Sequence, residues 1–278
     1  MTLLNYIVWD PSRVFFYIPY IHHPVTYYGL LFAAGFLLAF YRQRVWLKTL
    51  IPPVQANLLV DRLAWFLILG TIIGARLVHV FFYDWPYYAD RPDQIFAIWN
   101  GGLASHGGVL GILIALGFFR LSIKKKYPKL TYLTWLDGLS LSTPIMACCI
   151  RLGNFVNQEI IGEQTKLPWG VIFLHPAEAV SVVPRHPVQL YEALFYILIF
   201  FGLIVLWDKV KDRWNHGKLA GLFLVLLFTF RFFIDFLKLP QEVGQPILGM
   251  HMGQTLSLPL IALGLILFFR PKQKKFPN

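Results

Sequence analysis

Seven stretches of this chain are apolar for most of their length, at 27–41, 64–83, 103–119, 133–150, 188–207, 219–237 and 252–269. A helix crosses a bilayer with about 20 such residues. The first and third stretches are short, so their ends are fixed only to within about a turn. The stretch 51–61 opens on Pro52-Pro53 and mixes polar with apolar residues. It reads equally well as an interfacial helix leading into the second span or as a plain linker. The longest connection, 152–187, carries four prolines, and Val171–Phe173 inside it reads as a short strand. A connection of that length is more often functional than idle. No repeat of 20–50 residues is visible, which weakens the expectation of a repeat-built transporter.

The connections alternate in charge. Arg42, Arg44, Lys48 and Arg62 follow the first span, and Arg120, Lys124, Lys125, Lys126 and Lys129 follow the third. Lys209, Lys211, Arg213 and Lys218 follow the fifth, and Arg270, Lys272, Lys274 and Lys275 the seventh. By the positive-inside rule this side is cytoplasmic. The N-terminus and the connections at 84–100, 152–187 and 238–251 then face outward. The expected C-terminus is cytoplasmic.

Composition agrees. Only 14% of the 278 residues are charged and 57% are hydrophobic, against about 25% and about 45–50% in soluble domains. The net charge of +11 therefore reads as membrane topology, and no nucleic-acid partner is expected. Met1 to Tyr20 lack a basic start followed by an apolar run, so a cleaved leader is not expected. Cys148 and Cys149 are neighbours in an apolar stretch and read as packing thiols. No metal-ligand spacing and no Walker-type glycine loop is present, so no metal, cofactor or ATP is expected.

The candidate chemistry lies in charges within or beside the spans, where each costs at least about 2.5–3.5 kcal/mol. They are Arg76, Asp137, Glu192, Arg231 and Asp235, with His106 near the outer end of the third span. Arg231 and Asp235 are four residues apart and are expected to pair on one helix face. Asp137 is expected to pair with a basic residue near the cytoplasmic end. The run from Arg151 to Gly162 (RLGNFVNQEIIG) packs a cation, three carboxamides, a carboxylate and two glycines into twelve residues. It reads as the floor of an anion site at the outer edge of the bilayer, or as a polar loop leaving a helix. Arginine forks hold phosphate oxygens in pairs and keep their charge in low dielectric. Arg76, Arg151 and Arg231 converging at one depth would suit a phospholipid headgroup. His106 lies among small residues that permit close helix approach. It is read as an interhelical donor or as a proton-transfer group. His22, His23 and His186 are read as non-catalytic, and Tyr28 could line a pocket.

Taken together, these motifs resemble the bacterial prolipoprotein diacylglyceryl transferases. The residues 151–162 look like that family's signature. Tyr28-Gly29, Gly74-Ala75-Arg76, the glycine-rich run 101–111 with His106, the run 185–192, the run 231–235 and Gly253-Gln254 follow in the family's order. The chain departs from the family pattern at Ile150 and Ala75, where glycine is usual. It departs again at Leu227, where some members carry tyrosine, and at Asp235, where glutamate is common.

The resemblance implies an all-α integral membrane protein with about seven transmembrane helices. It would be one polytopic domain over 1–278, with a small periplasmic head at 152–187 between helices four and five. The implied location is the bacterial cytoplasmic (inner) membrane. The implied partners are phosphatidylglycerol and prolipoprotein signal peptides with a lipobox cysteine. The diacylglyceryl group would move to that cysteine's thiol, leaving a thioether and glycerol 1-phosphate. On this reading Arg151 and Arg231 hold the phosphate, with Arg76 also in the binding site. Asn154, Asn157, Glu159 and Gly162 hold or orient the headgroup, His106 is the base, and Tyr28 donates a hydrogen bond nearby. A lipid or solute transporter with an outward-facing anion site is the alternative. An intramembrane protease is disfavoured, because Ser105 and His106 are helix neighbours that do not face each other. Asp137 and Asp235 also fall toward opposite membrane faces in this topology.

Overall fold

A computed structural model describes residues 6–239 and 250–271. Within them, seven helices are long and apolar enough to cross a membrane: Tyr27–Leu47, Pro53–Tyr83, Ser105–Ile123, Tyr132–Asn157, Val188–Val210, Lys218–Leu237 and Met252–Phe269. The protein is an all-α membrane protein that crosses several times. The elements in order are strands β1 (Ile7–Trp9), β2 (Val14–Ile18) and β3 (His23–Thr26), then helices α1 (Tyr27–Leu47) and α2 (Pro53–Val78). A π turn (His79–Tyr83), the short α3 (Trp85–Asp90) and two 3-10 turns (Pro92–Phe96, Ile98–Asn100) lead to α4 (Ser105–Ile123) and α5 (Tyr132–Asn157). Strands β4 (Val171–Phe173) and β5 (Pro184–Arg185) precede α6 (Val188–Val210) and α7 (Lys218–Ile234). A 3-10 turn (Asp235–Leu237) and α8 (Met252–Phe269) complete the described chain.

Each of the seven expected stretches overlaps one of these helices, the third of them starting at Ser105, two residues later than expected, and Val171–Phe173 is the strand read from sequence. The stretch 51–61 is neither a separate interfacial helix nor a linker. It is the start of α2, because Pro52 and Pro53 fall at the helix N-terminus, where a missing N–H costs nothing, and no breaker follows. The expected end of the fourth span, at 150, was also too early: α5 runs to Asn157 and carries the first half of the motif.

The chain divides into two compact units, Gln43–Leu136 and the remainder. In the Gln43–Leu136 unit α2 and α4 cross backbone to backbone. A Cβ on Gly111 would fall 1.9 Å from the Gly70 carbonyl oxygen, and one on Gly74 would fall 2.3 Å from that of Gly107. Two glycines four residues apart on each helix thus form a small-residue crossing of the kind that drives association in lipid. Trp46, Phe119 and Trp135 fill this unit's interior, with ring centroids 5.0 and 5.8 Å apart.

In the other unit, α7 meets α8 at Gly221 and Gly264, where added Cβ atoms would fall 2.6 and 2.8 Å from the facing carbonyls. Asp137 in α5 accepts from Gly217 N at 2.7 Å and from Ala220 N at 2.9 Å, so it caps α7 from another helix. The expected basic partner is thus mainly a helix N-terminus, with His216 Nδ1 at 4.0 Å. Cys148 and Cys149 are buried free thiols. Strand β1 pairs in parallel with β4, which pairs antiparallel with β5. Under this sheet Phe155, Ile161, Val171 and Phe173 form a buried core lined by Trp9. Trp9 Nε1 donates to the Phe155 carbonyl at 3.0 Å, tying the sheet to the end of α5. These three N-terminal strands were not read from sequence.

Candidate active site

The last two turns of α5 present Arg151 and Asn154 on one face, three residues apart. Arg151 Nη1 donates to Asn154 Oδ1 at 3.0 Å. The Asn154 amide then donates to Glu159 Oε1 at 2.7 Å, and Asn157 reaches the same oxygen at 3.4 Å. Glu159 reaches back to the helix because the chain reverses sharply after Asn157. Gln158 and Ile160 sit at φ values of +56° and +57°, a region costing a non-glycine residue about 1–3 kcal/mol. Contacts on every side hold this turn. The Ile160 amide donates to Glu178 Oε1 at 2.6 Å, the His175 amide to Gln158 Oε1 at 2.7 Å, and Gln189 Nε2 to the Glu159 carbonyl at 2.8 Å.

Glu192 in α6 is fully buried, as sequence reading allowed, and three groups converge on it. Arg151 Nε lies 2.9 Å from Oε2. Lys238 Nζ donates to Oε1 at 2.9 Å, and the Tyr196 hydroxyl donates to the same oxygen at 3.1 Å. Tyr196 also bonds Arg151 and lies within electrostatic reach of Arg231. Burial lowers the pKa of the Lys238 ammonium, Glu192 pulls it back up, and Arg151 and Arg231 add to the lowering. The result is a patch in which Arg151 and Lys238 share one buried carboxylate, with Arg231 within electrostatic reach of Lys238 and Tyr196. Glu192, Asn154 and Tyr196 account for no more than three of Arg151's five N–H groups, so its fork keeps donors for an anion.

Tyr28, the second residue of α1, packs its ring on Gly153, where a Cβ would fall 2.7 Å from Cδ2. It feels both Glu159 and Arg151. Arg151, Asn154, Asn157, Glu159 and Tyr28 therefore lie in one unit and interact, and Arg231 lies in the same unit, within electrostatic reach of Tyr196. Gly162 lies beside them but is not free to grip a ligand. Its N–H goes to the His186 carbonyl at 3.2 Å and its carbonyl accepts from Arg185 at 3.3 Å. Its lack of a Cβ lets the strand-like residues 161–163 pair against 237–239.

The pairing expected on α7 turns out differently. Arg231 and Asp235 make no ion pair among the described residues. The chain tightens into a 3-10 turn at Asp235, and its carboxylate turns to His251 Nδ1 at 3.6 Å and to Gly253 at the start of α8. Arg76 lies in the Gln43–Leu136 unit, and all five of its N–H groups are donated to backbone carbonyls. No donor is left for a phosphate. His106, in the same unit, is the second residue of α4 and is exposed. Among the described residues, no three His, Cys, Asp or Glu side chains converge as metal ligands would.

A family model for prolipoprotein diacylglyceryl transferase matches residues 13–270. The chain belongs to this transferase family. A phosphatidylglycerol–prolipoprotein diacylglyceryl transferase of Tolumonas auensis is 41% identical over 90% of this chain and 93% of its own length. The one of Porphyromonas gingivalis is 39% identical over 97% and 96%. The relative of Protochlamydia amoebophila is 48% identical over 76% of this chain, but the chain spans only 57% of that relative's length.

For a diacylglyceryl transferase, the residue that sequence reading missed is Lys238. It ends a span as an ordinary boundary lysine would. Its only signal was its place in a connection poor in basic residues. Tyr196 was missed because it falls in an apolar stretch, with only its four-residue spacing from Glu192 as a hint.

Proposed function

We propose that the protein transfers the diacylglyceryl group of phosphatidylglycerol to the lipobox cysteine of prolipoproteins, in the bacterial inner membrane. The basic connections would face the cytoplasm and the site around Arg151 the periplasm, with the N-terminus outside. One observation carries the reading: Arg151 and Lys238 share the single buried carboxylate of Glu192, with Arg231 within electrostatic reach, an excess of positive charge suited to an anionic headgroup.

The chemistry follows. The cysteine sulfur, its proton passing to a base, attacks the carbon of the diacylated glycerol that bears the phosphate. The S–C bond forms, the C–O bond breaks, and the electron pair leaves on oxygen as glycerol 1-phosphate. Arg151 and Arg231, backed by Lys238, hold the phosphate as its negative charge grows, which lowers the barrier because the donors are already oriented. Asn154 and Asn157 keep Glu159 and Arg151 aligned, and Tyr28 closes the same side. A free thiol has a pKa of about 8.5, so a base raises the reactive fraction. We assign that role to His106, on its chemistry and its place in the motif. Arg76 and Gly162 are structural in this proposal, because their polar groups are already paired.

The test uses purified protein in phosphatidylglycerol bilayers with a lipobox peptide, read by mass spectrometry. Wild-type protein adds one diacylglyceryl group per peptide, and Arg151→Ala adds none while remaining folded. Transfer by Arg151→Ala at the wild-type rate sinks the phosphate assignment. Lipid passage without a covalent product supports a transporter instead.

A further inference from the structure

We propose that Arg76 is a positioning residue for His106, acting as a clamp on the chain from Gln94 to Gly102. The inference rests on the reading of His106 as the base. Arg76 is 5% exposed, and among the described residues no carboxylate forms an ion pair with it. Nε donates to the Ile95 carbonyl at 2.8 Å, Nη1 to Gly101 at 2.6 Å and Gly102 at 3.1 Å, and Nη2 to Gln94 at 2.5 Å and Ala97 at 3.2 Å. The Tyr88 ring covers the guanidinium with its centroid at 5.0 Å. Five inward-pointing carbonyls would repel one another without a central cation, so this arginine sets the loop's conformation.

The clamp ends close to the histidine. Gly101 and Gly102 adopt φ values of +83° and +70°, which aim both carbonyls at Arg76. A Cβ on Gly102 would fall 2.7 Å from Arg76 Nη1 and from the His79 ring. The Ala104 amide donates to the carbonyl of Ala75, next to Arg76, at 3.0 Å. Helix α4 starts one residue later, and His106 is its second residue. The helix cannot slide to compensate, because Gly107 meets Gly74 backbone to backbone. The position of His106 is therefore fixed from α2 through Arg76.

The test is a double-mutant cycle on the full chain in phosphatidylglycerol bilayers with the lipobox peptide. Arg76→Gln, Arg76→Lys and Gly102→Ala are measured in the wild-type and His106→Gln backgrounds. Arg76→Gln should lower kcat about 10- to 100-fold, the scale of a displaced catalytic group, with KM for phosphatidylglycerol within about twofold. Arg76→Lys should fall between, since three donors cannot serve five carbonyls. In the His106→Gln background the same changes should cost less than about threefold more, because residues acting through one group are not additive. Amide exchange at 94–104 should quicken in Arg76→Gln. Gly102→Ala crowds the clamp while keeping its cation, and it decides the matter if Arg76→Gln does not fold. Equal losses in both backgrounds, a raised KM at constant kcat, or unchanged exchange overturn the proposal. If His106→Gln alone transfers at the wild-type rate, the base assignment fails and this inference fails with it. If His106→Gln is impaired but the losses add, only the inference fails.

Discussion

Arg151 Nε lies 2.9 Å from Glu192 Oε2, with Glu192 sealed from solvent. The pair fixes where the guanidinium points without spending all its donors. Arg151→Lys keeps the charge but cannot reach Glu192 and Asn154 together. Transfer to the lipobox peptide should drop at least about 100-fold, equivalent to about 2.7 kcal/mol. Phosphatidylglycerol-dependent kinetics of the folded variant measure this.

Glu192→Gln acts on stability first. It leaves Arg151 and Lys238 in a buried site with no counter-charge, and breaking such a pair costs about 3–5 kcal/mol. The variant should unfold at lower temperature or lower denaturant than wild type. Lys238→Met should behave oppositely. Glu192 and Arg151 still pair one to one, so stability should stay within about 1 kcal/mol, while the lost cation slows transfer about tenfold. Equal destabilisation by the two changes would show that Lys238 is a packing residue only.

The spans were legible because apolar length alone decides them. Val171–Phe173 was legible because prolines bracket an apolar run. The N-terminal strands were not, since Ile7–Trp9 is three residues long and becomes a strand only by pairing with β4. Arg151 and Glu192 could be singled out because charge in a span is expensive. Their partnership could not be read, as it joins residues 41 apart in sequence on α5 and α6. Arg76 was singled out for the same reason, but its partners could not be read. Its five partners are backbone carbonyls, which every sequence contains and no side-chain pattern reveals.

Asp137→Ala separates stability from chemistry. The side chain caps α7 through two backbone amides, and loss of a cap costs about 0.5–2 kcal/mol. The melting temperature should fall, while transfer per folded molecule stays at the wild-type value. A specific loss of turnover at full stability would give Asp137 a place in the reaction.

Gly162→Ala tests how the cation patch is held together. The new Cβ would lie 2.5 Å from the His186 carbonyl oxygen and 2.9 Å from that of Leu237. Both are backbone atoms that cannot swing aside, so the 161–163 and 237–239 segments must part. Overpacking of this kind costs about 1–3 kcal/mol. Because Lys238 is carried on the displaced segment, its contact with Glu192 loosens as well. The variant should therefore lose both stability and turnover, and added inorganic phosphate should not restore either. A stable, fully active Gly162→Ala protein would mean that the pairing of these two segments does not position Lys238.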